Sequence, residues 1–182
     1  LDLTTVSVPV GGVTLTALWK INSNTVNFRA NGGAYDDATA NKSITVDYNA
    51  PVAAPEIPDR VGYTFTGWMD NATKIVYAAG TALPAMIDNV VNYVAQWQIE
   101  TYTVNFVIDG TTISENYAFG ADIEIPDETQ TVKEGWTFKY WIDAEGNEVE
   151  PATTMEDIGE NGASITYTAY FEINSYKATF IS

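Results

Sequence analysis

The side chains of this 182-residue chain that could do chemistry are mostly carboxylates and aromatic rings, because the sequence contains no cysteine and no histidine. The missing cysteine excludes disulfides, thiolate metal sites and thiol nucleophiles together. The missing histidine takes away the most common general base and the most common transition-metal ligand. Asp and Glu could still act as acid and base or bind calcium, so an enzyme is disfavoured rather than excluded. We predict no catalytic, cofactor-binding or metal-binding residues.

One group of oxygen ligands has a spacing loosely like that of a calcium loop. Asp143, Glu145, Asn147 and Glu150 form an acidic turn with alternating oxygen side chains. A calcium loop also needs a glycine at its sixth position and a bidentate glutamate at its twelfth. Neither is present, so we interpret this segment as a solvated turn.

The aromatic side chains comprise five Trp, eleven Tyr and seven Phe, and exposed rings of this kind can stack on sugars. Most of them alternate with threonine, which is typical of the buried face of a small β-module. Tyr140 and Tyr170 fall opposite the inward-facing set. They are therefore the candidate residues of a binding surface, and the alternative function is a module that binds a glycan or a host protein.

The net charge of −16 is concentrated in the second half of the chain. Residues 22–98 hold seven acids and four bases, whereas residues 99–173 hold sixteen acids and two bases. Such a chain repels nucleic-acid phosphates and anionic lipids, so we predict no nucleic-acid partner. No apolar run approaches the length that spans a bilayer, and we predict no membrane insertion. The charge is interpreted as a source of solubility.

These side chains must be positioned by a repeated element, because one ten-residue pattern occurs three times. It begins at Trp19, Trp97 and Phe171, with spacings of 78 and 74 residues. A fixed long period indicates a repeat array, and the absence of a Gly/Pro/Ser-rich linker near Ile99 predicts little freedom between repeats. The predicted division has four parts: the end of one repeat (1–21), two complete repeats (22–98 and 99–173) and the first strand of a further repeat (174–182).

Period-two alternation rich in β-branched and aromatic residues predicts a mainly β fold with little helix. One strand with an inward Ala followed by an aromatic residue recurs at 13–19, 91–97 and 165–171. Other strands are predicted at 25–29, 43–48, 74–77, 148–150 and 176–181. Short helices are plausible at 81–89 and 152–158, although each is too short to be stable alone.

The motif at 62–68, Gly-Tyr-Thr-Phe-Thr-Gly-Trp, leaves the direction of its last ring open. Strict alternation places Trp68 opposite the other two rings, unless a bulge at Gly67 returns it to the core. The second copy of the motif has Tyr140 where the first has Gly67, and a tyrosine lacks the conformational freedom of glycine.

Together these motifs resemble the Listeria–Bacteroides repeat, the B repeat of internalin-type surface proteins. Residues 25–97 match closely and residues 103–171 match more loosely. The matching features are the Asn31-Gly32-Gly33 turn, the prolines at 51, 55 and 58, the motif at 62–68 and the closing strand that ends Ala-x-Trp. The resemblance implies small β-grasp-like modules in an elongated array, used outside the cell on a bacterial surface. It brings no catalytic residues.

We therefore predict a non-enzymatic stalk, spacer or adhesin segment whose first partners are neighbouring repeats of the same chain. The strands at 13–19 and 176–181 would lack part of their own repeats and present unpaired edges, which invite strand addition. We expect either disorder there or head-to-tail pairing between molecules. Six lysines and many asparagines also leave open a pilin-like Lys–Asn cross-link beside a buried acid, although the sequence marks no such triad.

Overall fold

The structure is a computed structural model that describes residues 10–12, 14–87 and 89–181. All regular secondary structure in this part of the chain is β-strand, arranged as two five-stranded sheets in tandem. The first sheet contains β1 (Ser23–Arg29), β2 (Asn41–Asp47), β3 (Tyr63–Asp70), β4 (Val76–Ala78) and β5 (Val91–Ile99). The second contains β6 (Thr101–Ile108), β7 (Thr111–Ala118), β8 (Trp136–Ile142), β9 (Glu148–Val149) and β10 (Ser164–Ile173). The prediction of a mainly β fold in tandem modules is confirmed.

The two sheets share one topology. Their strand orders are β2-β1-β5-β3-β4 and β7-β6-β10-β8-β9, so the last long strand of each repeat lies at the centre. That strand runs parallel to the first strand of its repeat and antiparallel to the third. This is the strand order of a β-grasp sheet. The division of the chain at residues 22, 99 and 174 stays a prediction.

The short helices predicted at 81–89 and 152–158 are wrong for the described residues, and Asp88 lies outside them. The reason is that the backbone groups of these segments are satisfied across the module rather than within a helical turn. Met86 N–H donates to Ala50 O at 2.8 Å, and Met155 N–H donates to Ala121 O at 2.8 Å. Both methionine side chains are buried over the sheet.

The inward faces of the central strands match the predicted alternation. Tyr93 and Ala95 are buried in β5, and Tyr167 and Ala169 are buried in β10. Each small alanine lies directly across from a tryptophan of the neighbouring strand, in the pairs Trp68↔Ala95 and Trp141↔Ala169. The alternation of small and large residues therefore makes room for an indole ring in each core.

A β-bulge settles the direction of Trp68. The pairing of β3 with β5 shifts between Phe65 and Gly67, and the pairing of β8 with β10 shifts at the corresponding place. The extra residue turns the following ring back to the inner face, so Trp68 and Trp141 are each only 5% exposed. Tyr140 forms the same bulge without a positive φ.

The strands predicted at 13–19 and 176–181 are absent from the described residues, and Val13 lies outside them. Trp19 and Phe180 are more than 90% exposed. A strand is stabilised by neighbours in its sheet, and neither segment is paired with a strand in the described part of the chain. Head-to-tail pairing stays a prediction. Within the described ranges, no helix has the length and apolar character needed to cross a membrane.

Candidate functional site

The two candidate tyrosines lie together on the outer face of the second sheet. Tyr140 in β8 pairs directly with Tyr170 in β10, and their rings stack with centroids 4.8 Å apart and planes 4° apart. Tyr170 is 44% exposed, whereas Tyr140 is half-buried. Each ring therefore covers one face of the other, and a ligand could contact only the uncovered faces and the edges of the two rings. The first repeat carries Gly67 and Gln96 here, so only the second repeat has this tyrosine pair.

The acidic turn is closed by its own hydrogen bonds. The Asp143 Oδ1 atom accepts from the backbone N–H groups of Glu145, at 3.0 Å, and Asn147, at 2.8 Å. The Asn147 side chain, followed by these backbone donors, holds the pKa of Asp143 below its ordinary value. In residues 10–12, 14–87 and 89–181 no group of three or more acidic side chains is placed to hold a metal ion.

One lysine lies beside an asparagine, as a Lys–Asn cross-link would require. Lys74 Nζ donates to Asn71 Oδ1 at 3.1 Å. Both residues are exposed, so the pair lacks the buried setting that lets an acid promote such a reaction.

The junction between the two sheets is held by contacts to both of them. β5 ends at Ile99 and β6 begins at Thr101, so Glu100 is the single residue between them. The Glu100 N–H donates to Gly62 O in the first repeat at 2.9 Å. The Glu100 carbonyl accepts from Phe119 N–H in the second repeat, also at 2.9 Å. The backbone of the linking residue is thus bonded to both sides.

The Glu100 carboxylate also bonds to both repeats. Its Oε1 accepts from Thr64 Oγ1 at 2.8 Å, and its Oε2 accepts from the Tyr102 hydroxyl at 2.6 Å. Tyr102 is fully buried, and its hydroxyl lies 3.2 Å from Asp157 Oδ1 as well. Burial raises the pKa of Tyr102, and the hydrogen bond to Glu100 raises it further. The phenol therefore keeps its proton, which donates to a charged acceptor.

An aromatic contact completes the junction. The Phe119 ring lies so close to Gly62 that a Cβ built there would be 2.1 Å from the ring Cγ. Gly62 also has a φ of +72°, which disfavours any side chain. The Tyr63 ring meets Phe119 edge-on at 6.3 Å, and the Arg60 guanidinium lies 3.7 Å from the centre of the Tyr63 ring. We call Gly62, Tyr63, Glu100, Tyr102 and Phe119 the inter-repeat joint.

Sequence reasoning predicted little freedom at this junction but did not single out the joint residues. One signal was available in the sequence. The glycine that opens the aromatic motif occurs in both repeats, at Gly62 and Gly135, and an aromatic residue occurs at Tyr48 and Phe119. Their contact could not be inferred, because Gly62 and Phe119 belong to different repeats.

Comparison with known proteins places this architecture in a family. The sequence model of the Listeria-Bacteroides repeat domain matches residues 25–91 and again residues 102–166. The chain belongs to the Listeria–Bacteroides repeat family. The two matched segments overlap the first and the second sheet. Of the inter-repeat joint, Gly62 and Tyr63 lie in the first matched segment, Tyr102 and Phe119 lie in the second, and Glu100 lies between the two.

Three relatives share these repeats. A "Putative membrane protein" of Evansella cellulosilytica is 30% identical over 92% of this chain, and a "Putative Gly-rich membrane protein" of the same organism is 30% identical over 74%. Internalin H of Listeria monocytogenes is 36% identical over 56%. The chain spans 24%, 15% and 18% of the lengths of these relatives, respectively.

Proposed function

We propose that this pair of Listeria–Bacteroides repeats is a non-enzymatic stalk segment that holds other parts of a larger protein at a set distance and direction. The observation that supports this role is the inter-repeat joint, in which one residue links the sheets and is bonded to both. A spacer needs stiffness at the points between its modules, and the joint supplies it at the only link between the two described sheets.

The physical argument is that bending at Glu100 would break contacts that join the two repeats. A rotation there would move Thr64 and Tyr102 apart, so that the Glu100 carboxylate could no longer bond to both. It would also uncover the Phe119 ring. Flexible linkers are long and rich in glycine and serine, and this linker is a single glutamate.

The setting that we propose is a bacterial cell surface. One relative is an internalin and two are named as membrane proteins, which supports a surface or membrane-associated location for the protein that carries this segment. The net charge of −16 favours mutual repulsion between neighbouring stalks. An adhesin role would require a binding surface in addition to the stalk.

The distribution of distances between the two sheets tests the stalk role. Because the chain has no cysteine, spin labels can be attached at Thr45→Cys in β2 and Glu148→Cys in β9, both of which are exposed. We expect double electron–electron resonance to give one narrow distance distribution. Insertion of Gly-Ser-Gly-Ser after Glu100 should broaden it.

The matched control is the same insertion between Ala53 and Ala54, which are exposed in the connection between β2 and β3. It lengthens the chain without touching the joint, so the distribution should stay narrow. A distribution in the unmodified chain as broad as that of the Glu100 insertion would rule out a stiff stalk.

A second candidate function is recognition of a glycan or a host protein by Tyr140 and Tyr170. The observation that favours it is the exposure of Tyr170 on the outer face, beside the Lys139–Glu172 ion pair at 2.7 Å. The chain can be screened on an array of bacterial and mammalian glycans. Binding that is lost in Tyr170→Thr and kept in Tyr48→Thr would support this role, and absence of binding by the unmodified chain would oppose it.

A further inference from the structure

The segment that follows β10 begins a second joint. Asn174 occupies the place of Glu100: its N–H donates to Gly135 O at 2.8 Å, as Glu100 donates to Gly62 O. Its Oδ1 accepts from Thr137 Oγ1 at 2.6 Å, as the Glu100 carboxylate accepts from Thr64. Asn174 therefore reproduces both contacts that Glu100 makes with the first repeat, one from its backbone N–H and one from its side chain.

The second repeat also has the residues that correspond to Arg60, Gly62 and Tyr63 of the inter-repeat joint. Gly135 has a φ of +77°, and a Cβ built on it would meet no described atom within 4 Å. Trp136 follows it as Tyr63 follows Gly62, and Lys133 Nζ lies 4.5 Å from the centre of the Trp136 ring. Trp136 is 37% exposed. Residues Lys133, Gly135 and Trp136, which we call the socket, thus reproduce Arg60, Gly62 and Tyr63 without a ring against the glycine.

The opposite end of the described structure carries the complementary ring. Tyr48 N–H donates to Asn22 O at 2.7 Å, as Phe119 N–H donates to Glu100 O. Tyr48 is 52% exposed. The first sheet therefore has the ring of a joint without its socket, and the second sheet has a socket without its ring.

The residues after Asn174 have the character of a strand that enters a core. Tyr176 and Phe180 correspond to Tyr102 and Phe106 in the repeated pattern. The latter two are at most 2% exposed, whereas Tyr176 and Phe180 are 86% and 94% exposed. Tyr176 and Phe180 would be buried in the same way as Tyr102 and Phe106 if they belonged to the first strand of a further sheet.

We propose that the socket at Gly135 and Trp136 binds the aromatic ring, at the position of Phe119, of a further Listeria–Bacteroides repeat that continues from Asn174. Tyr48 is the equivalent ring for a repeat that precedes Asn22. The inference rests on the proposed stalk function, because it makes the joint the repeating unit of the stalk.

Covalent continuity favours this occupant over a second molecule. The hydrogen bond from Asn174 N–H to Gly135 O fixes the point at which the backbone leaves the second sheet, as the Glu100 bond to Gly62 O does in the first. A separate molecule that docked its own Tyr48 into the socket would bring the start of its β1 close to Asn174, because Tyr48 is bonded to Asn22 at that end of the first sheet. Residues 175–180 of this chain are covalently attached at the same point. The β1 strand of the second molecule and residues 175–180 of this chain would therefore compete for the same position next to the socket.

The test uses the Hα protons of Gly62 and Gly135 as reporters of a nearby ring in nuclear magnetic resonance spectra. In the 182-residue chain, we expect Phe119 to shift a Gly62 Hα upfield and Phe119→Ala to abolish the shift. Gly135 should show no such shift. Two extended chains are then compared, in which residues 1–174 are followed either by a copy of residues 101–174 or by a copy of residues 23–98.

We expect a Gly135 Hα to move upfield in both extended chains. An alanine at the Phe119 or Tyr48 position of the added copy should return it to its original value. A Gly135 signal that is unchanged in both extended chains would overturn the proposal, including the case in which neither added copy folds. A shift of Gly135 in the 182-residue chain that grows with concentration would overturn it in favour of a second molecule.

These outcomes are separate from a failure of the stalk role itself. If Gly62 shows no ring shift in the 182-residue chain, the inter-repeat joint is absent from solution and the stalk proposal loses its support. If Gly62 is shifted and Gly135 never is, the joint stands between the two repeats and only its extension is wrong.

Discussion

At the scale of single residues, the buried phenols show how burial alters chemistry in a protein without histidine. Burial raises the pKa of Tyr35 and of Tyr93 to about 12, from an ordinary value of 10.0. Smaller contributions to these raised values come from the charge of Glu56 at Tyr35 and from the charges of Tyr77 and Asp70 at Tyr93. Their raised pKa values make the stability of the first repeat depend on pH.

Alkaline pH should unfold the first repeat through these phenols. A pKa that is higher in the folded state contributes stability that is complete below the unfolded value of about 10 and is lost as pH rises through about 12. The free energy of unfolding, measured by urea denaturation, should therefore fall between pH 10 and pH 12. Tyr93→Phe should reduce the loss, because its hydroxyl no longer ionises.

The control for this prediction is Tyr48→Phe, which removes an exposed phenol. It should leave the alkaline loss of stability unchanged. If the absorbance of tyrosinate shows that Tyr93 ionises near pH 10 in the folded protein, the burial argument is contradicted.

At the scale of elements, the bulge in the third strand is formed with a glycine in the first repeat, Gly67, and with a tyrosine in the second, Tyr140. Gly67 has a φ of +149°, and a Cβ there would lie 2.2 Å from the Tyr77 carbonyl oxygen. It pairs with Ala78 in β4. In the second repeat β9 pairs only from Trp141 onward, so the backbone beside Tyr140 leaves room for a side chain. The same bulge therefore tolerates a tyrosine where the edge strand is shorter.

Gly67→Ala should be more destabilising than Tyr140→Ala. The added methyl group meets the backbone of β4, and we expect a cost of about 1–3 kcal/mol, as for overpacking of a dense interior. Tyr140→Ala removes one stacked pair, which is worth about 0.5–1.5 kcal/mol beyond the area that the half-buried ring covers. Denaturation followed by tryptophan fluorescence measures both. Equal losses of stability in the two variants would show that β4 shifts to accommodate the added methyl group at little cost.

At the scale of the whole molecule, the inter-repeat joint couples two modules that have separate cores. Gly62→Ala and Gly135→Ala form a matched pair, because both glycines have a left-handed φ and only Gly62 faces a ring. Because the backbone strain is common to both variants, the difference between their losses of stability measures the contact between residue 62 and Phe119. We expect Gly62→Ala to be the more destabilising by about 1–3 kcal/mol.

Calorimetric unfolding curves test this pair. Gly62→Ala should also separate the unfolding of the two repeats into distinct transitions, whereas Gly135→Ala should leave their coupling as in the unmodified chain. Identical curves for the two variants would mean that the Phe119 contact adds nothing to the association of the repeats.

The sequence by itself determined the repeats, the tandem β-modules and the inward faces of β5 and β10. The repeats follow from a pattern that recurs after 78 and 74 residues, and the strand faces follow from a period-two alternation within each strand. Ala95 and Ala169 were correctly assigned to a packed face on this basis. The expected helices at 81–89 and 152–158 failed, because local pattern does not show that Met86 and Met155 bond to a distant connection.

Only the tertiary structure decided the direction of Trp68, the stacking of Tyr140 on Tyr170 and the inter-repeat joint. A one-residue shift in strand register reverses the faces of a strand, so the bulge had to be seen in the sheet. The joint brings Gly62, Glu100 and Phe119 together from two repeats. Their contact arises from the packing of one module on the next, which no single stretch of sequence contains.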